Sequence, residues 1–345
     1  MAPFDSKKYT KLQKEEINKR ISQFDKLYIE VGGKLFDDNH ASRVLPGFKP
    51  DAKIEIFKEL KNDLEIIFCI NTNDIISDKI RADNNLSYAD EVLRLHDLML
   101  KNEIKVCGIV ITFYHESEEV AEFEDVCKKK NIKTYHSYFI DNYPNDLKTI
   151  LSSDGFGKND YIKTDKNLIL VAAPGANSGK LETCLSQLFL DKTHGINSCY
   201  AKYETFPVWN LPLDHLVNIA YEMATVDIAD KNMIDPYYKK AYKKIAVNYN
   251  RDIAAFPILS NMIKLITGKE IYKSPTDMGI NAVAFAIQDD FTVQTAAFEE
   301  IKRRNIKHKN LYENGKLTKK ALIRSEKILK RATKIYNKLI KQNKK

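Results

Sequence analysis

The residues with the clearest capacity for chemistry lie in VAAPGANSGKLETCL, Val171 to Leu185. An apolar strand-like run ends, a glycine-bearing turn follows, and an amphipathic helix is expected from about Ser178 to Asp191. In that order of elements, free backbone N–H groups and the positive end of the helix dipole converge on an anion, and Lys180 adds a mobile charge. Gly175, Ser178, Gly179 and Lys180 are therefore candidate phosphate-binding residues. The match to G-x-x-x-x-G-K-[ST] is incomplete, because Pro174 stands in place of the first Gly and Leu181 in place of Ser or Thr. The missing hydroxyl is the Mg²⁺ ligand of that motif, and Thr183, three residues after Lys180, is not a like-for-like replacement. The pattern favours phosphate binding over Mg²⁺-dependent hydrolysis. The structural alternative is a tight turn in which Gly175 supplies a positive φ, Ser178 caps the helix and Lys180 is solvated.

Other groups form a second tier. Asp37, Asp38, His40 and Arg43 cluster in a loop just after a strand, where α/β proteins tend to place ligands, or they form a salt-bridged surface loop. Arg251, within NYNRD, can grip a phosphate or carboxylate with Asn248 or Asn250 orienting it; equally, the segment can be a polar joint between helices. Glu204, at the end of a strand close behind the loop's helix, can hold a metal or activate water. Asp277 follows Ser274-Pro275-Thr276, a helix start that structure alone explains, and is a weaker candidate. Cys184 falls on an apolar helix face, and His96 and His136 show no ligand spacing.

These residues act together only if the fold converges them. The chain has 345 residues, 43% hydrophobic and 30% charged, which excludes disorder and collagen-like repeats and suits two or three domains. An opening helix (about Tyr9 to Gln23) precedes a strand, Leu27 to Val31, that ends on Gly32 and Gly33. Apolar runs Leu64 to Ile70 and Val106 to Thr112 read as strands buried on both faces, with a helix between them that Ser87 and Asp90 initiate. A helix carrying Val120, Phe123 and Cys127 on one face then leads to the strand Ile132 to Tyr135. The βαβαβ pattern predicts a mainly parallel sheet with right-handed crossovers. Strands are again expected at Asn167 to Ala172 and Cys199 to Thr205, and residues 213 to 345 read as mostly helical, with breaks or caps at Pro236, Pro257, Gly268 and Pro275. The fold class is α/β, with mainly parallel three-layer sheet units and a large helical subdomain. The expected division is an N-terminal α/β domain over 1–155, a phosphate-loop-like α/β and helical domain over 167–290, and a basic helical tail over 291–345, with polar residues 152 to 166 as linker.

The total charge of +8 is unevenly placed: residues 301 to 345 hold 17 Lys/Arg against Glu313 and Glu326, a local +15 that leaves residues 1 to 300 at −7. The tail lacks an Arg-rich stretch interleaved with aromatics, which counts against nucleic acid as a partner. Its Leu322, Leu329, Ala332, Tyr336 and Leu339 share one helical face that needs cover from this chain or from another copy. The longest apolar stretches fall far short of the roughly 20 residues of a membrane span, so no membrane partner is expected. The N-terminus MAPFDSKKYTKLQK has no apolar signal core, so a cytoplasmic location is expected, and five cysteines without CxxC or CxxH suggest reduced thiols and no metal site.

Six segments carry a resemblance to a known family: VGGKLFDDNHASRVLPGF (Val31 to Phe48), APGANSGKLETCLSQL (Ala173 to Leu188), YAKYETFPVWNLPL (Tyr200 to Leu213), NMIDPYYKKAY (Asn232 to Tyr242), NYNRD and KSPTDMG (Lys273 to Gly279). Over roughly Phe4 to the tail helix the chain resembles the bacterial family known as domain of unknown function 1846. The resemblance implies a multi-domain α/β protein with a helical subdomain, no particular reaction, and relatives that continue past residue 345, as if this were a shortened form. Some relatives carry the label of ATP-dependent zinc protease. The present sequence has no H-E-x-x-H, since His115-Glu116 is followed by Ser117, Glu118 and Glu119.

The expected function is binding of a phosphorylated small molecule, foremost a nucleotide, with phosphoryl or glycosyl-phosphate chemistry ahead of redox chemistry because no G-x-G-x-x-G follows a strand. Lys180 and the loop amides would hold phosphates, with Arg43 and Arg251 as further cations and Mg²⁺ disfavoured. The alternative is a non-catalytic homo-oligomeric assembly protein whose loop is only a turn.

Overall fold

The computed structural model describes residues 2–36, 38–81 and 84–343. Asp37, one of the residues singled out from sequence, lies outside them. The frame is one seven-stranded sheet in which every pairing is parallel. In chain order its first six strands are β1 (Lys26–Val31), β2 (Leu64–Asn71), β3 (Lys105–Tyr114), β4 (Thr134–Tyr138), β5 (Leu168–Ala172) and β6 (Ser198–Tyr203). A short antiparallel pair apart from the sheet is made of β7 (Asn232–Ile234) and β8 (Val247–Tyr249), and β9 (Gly279–Ile280) is an edge strand of the sheet. The spatial order is β4-β3-β2-β5-β1-β6-β9. β5 is wholly buried and pairs with both β1 (Leu27 beside Leu168) and β2 (Leu64 beside Leu168). Its unbroken LILVA run follows from cover on both faces, which removes any need for alternation.

Helices cover both sides. From β1 through β4 the chain steps toward one edge, and right-handed crossovers put the helices Ala52–Glu59, Tyr88–Lys101 and Glu118–Lys129 on one face. From β5 it steps the other way, which puts Lys180–Thr193 and Asn250–Thr267 on the opposite face, where these two helices meet. The sheet therefore crosses the boundary expected between residues 155 and 167. Residues 152–166 lie within the crossover from β4 to β5, with Asp160 and Asn159 bonded to the backbone of β4.

The N-terminal helix, Ser6–Ile21, is tied to the far edge by buried Gln13, whose amide donates to the Ile280 carbonyl (2.7 Å) and accepts from the Ala282 amide (2.8 Å). With so few residues in β9, that edge could not be read from periodicity. Pro257 does not break a helix as expected; it sits inside Asn250–Thr267 on the exposed side, where the carbonyl it leaves unbonded can reach water. Pro236 and Pro275 open helices, and Gly268 closes one in a left-handed conformation. The helices Asp290–Glu313 and Lys319–Asn343 fold back on Leu216–Ala224, burying Ala321, Ser325, Ile328 and Ala332 and stacking Phe298 on Tyr336 (4.3 Å between centroids).

Candidate functional site

At the C-terminal edge of the sheet, β1 and β2 send the chain to one face while β5 and β6 send it to the other. Such a reversal opens a crevice beyond the strand ends. Here it is a cavity of about 1140 Å³, into which the turn after β5 projects. Helix Lys180–Thr193 starts two residues later than expected, with left-handed Gly179 at its N-cap (φ 76°). No side chain caps it, and the first amide to find a backbone carbonyl is that of Thr183, on Gly179 (2.9 Å). The helix start thus retains amide donors for an anion. Ser178 is not the cap, because its buried hydroxyl donates to the Gly175 carbonyl (3.0 Å) and stiffens the turn from within.

Both glycines are required by their surroundings. A Cβ on Gly175 would lie 2.3 Å from the Tyr88 hydroxyl, and one on Gly179 would lie 2.6 Å from the Thr112 methyl. Three donors brace the turn from other strands and loops: Thr112 Oγ1 to the Ser178 carbonyl (3.1 Å), Asn71 Nδ2 to the Asn177 carbonyl (3.2 Å) and Arg81 to the Pro174 carbonyl (2.5 Å). Lys180 lines the cavity and has no ion-pair or hydrogen-bond partner among the described residues.

Paired charges contribute to the other walls, beside apolar residues such as Leu95 and Phe113. Glu91 accepts a bidentate pair from Arg94 (2.8 and 2.9 Å) and single bonds from Arg81 (3.0 Å) and Asn84 (2.9 Å). On the β6 side, Lys202 is paired with Asp252 and donates to the Tyr249 hydroxyl (3.3 Å), which in turn donates to Glu204 (3.3 Å). Burial disfavours the Lys202 ammonium, but Asp252, Glu204 and Glu30 outweigh it and raise its pKa. Burial pushes the Glu204 carboxyl up to about 7 against the pull of Lys202. Glu182, in the first turn of the loop's helix, is also pushed up to about 7 by burial; the Ser137 hydroxyl, donating to it at 3.2 Å, offsets this only in part. A cavity lined by a lysine without a partner among the described residues and by Glu182, whose carboxyl burial makes easier to protonate, is equipped to bind an anion and to move a proton.

Of the residues expected from sequence, Gly175, Ser178, Gly179, Lys180 and Arg251 line this one cavity. Arg251 is already engaged by a bidentate pair to Asp230 (2.6 and 2.9 Å). Glu204 joins through Tyr249. Arg43 and His40 do not line it: both bond to buried Glu300 of the Asp290–Glu313 helix, at 2.8 and 3.1 Å. Asp38 pairs with Lys53 and caps Asn39–Val44. Asp277 accepts from the Lys273 amide and the Tyr242 hydroxyl while its own amide is capped by Ser274, a local helix-start arrangement. Thr183 is buried against the Cys69 thiol, and Cys184 is buried in the core. The sequence reading missed Asn71, Arg81, Glu91, Arg94, Glu182 and Lys202. Two signals were present: Glu182 lies in the same first turn as Lys180, and Lys202 precedes Glu204 by two along a strand, hence on the same side.

Fold and cavity together define an α/β protein of parallel-sheet type with a crevice at a reversal of strand order. The family model described as Domain of unknown function DUF1846, N-terminal, matches residues 2–333, and the chain belongs to that family. It is 52% identical over 302 residues to UPF0371 proteins of Streptococcus pyogenes serotype M28 (strain MGAS6180), Streptococcus sanguinis (strain SK36) and Streptococcus equi subsp. zooepidemicus (strain H70). Each match covers 87% of this chain and 60–61% of the relative, so the chain spans about three fifths of the relatives' length. Among the described residues no helix is long and apolar enough to cross a membrane.

Proposed function

We propose that the cavity binds a phosphorylated small molecule, foremost a nucleotide, with its phosphates on the amides at the start of Lys180–Thr193 and on the Lys180 ammonium. The observation that carries this reading is Lys180 itself: a cavity-lining cation without a partner among the described residues, beside an uncapped helix start. Arg43 and Arg251, the other expected cations, are held by Glu300 and Asp230 and do not compete for the role. The Thr183 hydroxyl is engaged in the core, which supports phosphate binding without the Mg²⁺ ligation of a full phosphate loop. Glu182, which lines the cavity in the first turn of the same helix, would be the group to move a proton in phosphoryl or glycosyl-phosphate chemistry. The free cysteines fit work in a reducing compartment, the cytoplasm.

The test is a thermal-shift screen of nucleotides, nucleotide sugars and sugar phosphates, with and without Mg²⁺, on wild type and Lys180→Ala. A ligand at about 100 times its Kd should stabilise the fold by roughly 2.7 kcal/mol, and the Lys180→Ala protein should lose that gain. No stabilisation by any member of the panel, or equal stabilisation of both proteins, overturns the reading. The rival, a homo-oligomeric assembly protein, draws less support: the tail stripe that would recruit a second copy packs largely on Leu216–Ala224 and Asp290–Glu313 of its own chain.

A further inference from the structure

We infer that the cavity carries a base-stacking subsite formed by Phe113 and Phe139, so that its ligand has a planar aromatic heterocycle as well as a phosphate. The inference rests on the proposed phosphate site and adds the other half of the ligand.

The argument begins in β3. Thr112 is the residue whose hydroxyl holds the Ser178 carbonyl and whose methyl group crowds Gly179, so the next residue along the chain stands beside the helix start. That residue, Phe113, has a left-handed backbone (φ 53°), a conformation that aromatic side chains rarely adopt. The pairing of β3 with β4 slips at the same point, with Thr112 opposite Ser137 but Tyr114 opposite Tyr138. The extra residue is therefore pushed out of the ladder, as in a bulge that re-aims one side chain. Phe113 lines the cavity. An apolar ring whose backbone had been relaxed for stability alone would be expected in the sheet's ordinary alternation; here it is displaced toward the cavity instead.

Phe139 stands next to it, 6.3 Å between ring centroids and tilted by 39°. It immediately follows β4 and is 64% exposed, the second most exposed of the large apolar side chains among the described residues. Two rings, one lining a cavity and one open to solvent at its side, offer a π surface beside an anion site. Stacking on aromatic side chains accepts any base, because every base has a π face, and needs no hydrogen-bond code. A sugar phosphate has no such face and would leave both rings unused.

The experiment is isothermal titration calorimetry on the whole chain with ATP, GTP, CTP and UTP, and with inorganic tripolyphosphate as a phosphate-only probe. Wild type is compared with Phe113→Ala, Phe139→Ala, Phe139→Tyr and Lys180→Ala. The expected result is that at least one nucleotide binds more tightly than tripolyphosphate. Either alanine variant should weaken that nucleotide by roughly tenfold and leave tripolyphosphate unchanged. Phe139→Tyr keeps a ring and should bind as wild type. Because Phe139 is on the surface, Phe139→Ala should fold even if Phe113→Ala does not. Nucleotides and tripolyphosphate binding equally well, both weakened by Lys180→Ala, would overturn the stacking subsite and leave the phosphate site standing. Nucleotide affinity that is unchanged in Phe139→Ala and Phe113→Ala would do the same. Failure of every probe to bind wild type would overturn both.

Discussion

Glu300 accepts a hydrogen bond from Arg43 at 2.8 Å across 257 residues of sequence, and the same carboxylate receives His40, Arg303 and Arg304. This cluster is a joint that fastens the segment after β1 to the helix Asp290–Glu313.

Breaking the joint should be costly. Glu300→Ala leaves Arg43, Arg303 and Arg304 crowded around a buried gap, and urea unfolding should show a loss of about 3–5 kcal/mol. Arg43→Ala should lose less, because its side chain is 40% exposed and two arginines still serve the carboxylate. Burial alone would raise the Glu300 pKa, but Arg303, His40, Arg43 and Arg304 reverse this and hold it well below the carboxylate range. A lowered folded pKa stabilises fully above the unfolded value of about 4.3, and that contribution fades as pH falls below it.

Glu182 should behave in the opposite sense. Its folded pKa of about 7 lies above the unfolded value, so the folded state binds its proton more tightly and stability falls as pH rises from about 4.5 to 7. Glu182→Gln should therefore be more stable than wild type at pH 8, by up to about 3 kcal/mol, and equal to it below about pH 4.5. Chemical denaturation at the two pH values would show this, and a difference that persists at pH 4 would contradict it.

A side chain at Gly175 would have to displace the Tyr88 ring. Gly175→Ala should cost about 1–3 kcal/mol through overpacking, and Tyr88→Ala should remove most of that penalty. A double-mutant cycle measures the coupling; simple additivity of the two losses would argue against the contact.

Removal of residues 317–345 should uncover Met223 and Phe298 and strip Arg331 from Glu222, a pair in the described tail contacts. The truncated chain should melt several degrees lower and be cleaved faster by protease. An unchanged melting temperature would mean that the tail helix contributes little to the core.

Much of the sheet was legible because its strands announce themselves as apolar runs bounded by turns. Leu64 to Ile70 and Asn167 to Ala172 coincide with β2 and β5 to within a residue. β9 was not legible, since Gly279 and Ile280 are held at the edge by Gln13 from far along the chain and show no pattern of their own. The turn Gly175 to Lys180, which lines the cavity, is legible because strand, turn and helix lie in sequence. For His40 and Arg43 the sequence leaves a ligand site and a salt-bridged loop open, because it shows the charges but not the distant carboxylate of Glu300 that pairs with them. Arg81, Glu91 and Arg94 escape notice for the related reason that only the strand order brings these three side chains near the turn after β5.

The position of β5 also sets an order of assembly. β1 and β2 never pair with each other; both pair with residues 168–172, which follow them by about a hundred residues or more. As the chain leaves the ribosome, β2, β3 and β4 can associate while β1 waits with an open edge on a separate piece. The two pieces become one sheet only when β5, with the turn that follows it, inserts between them, so the long-range contacts that build the crevice are among the last and slowest to form. Until that insertion, exposed strand edges in the nascent chain are where chaperones would act and where aggregation would begin.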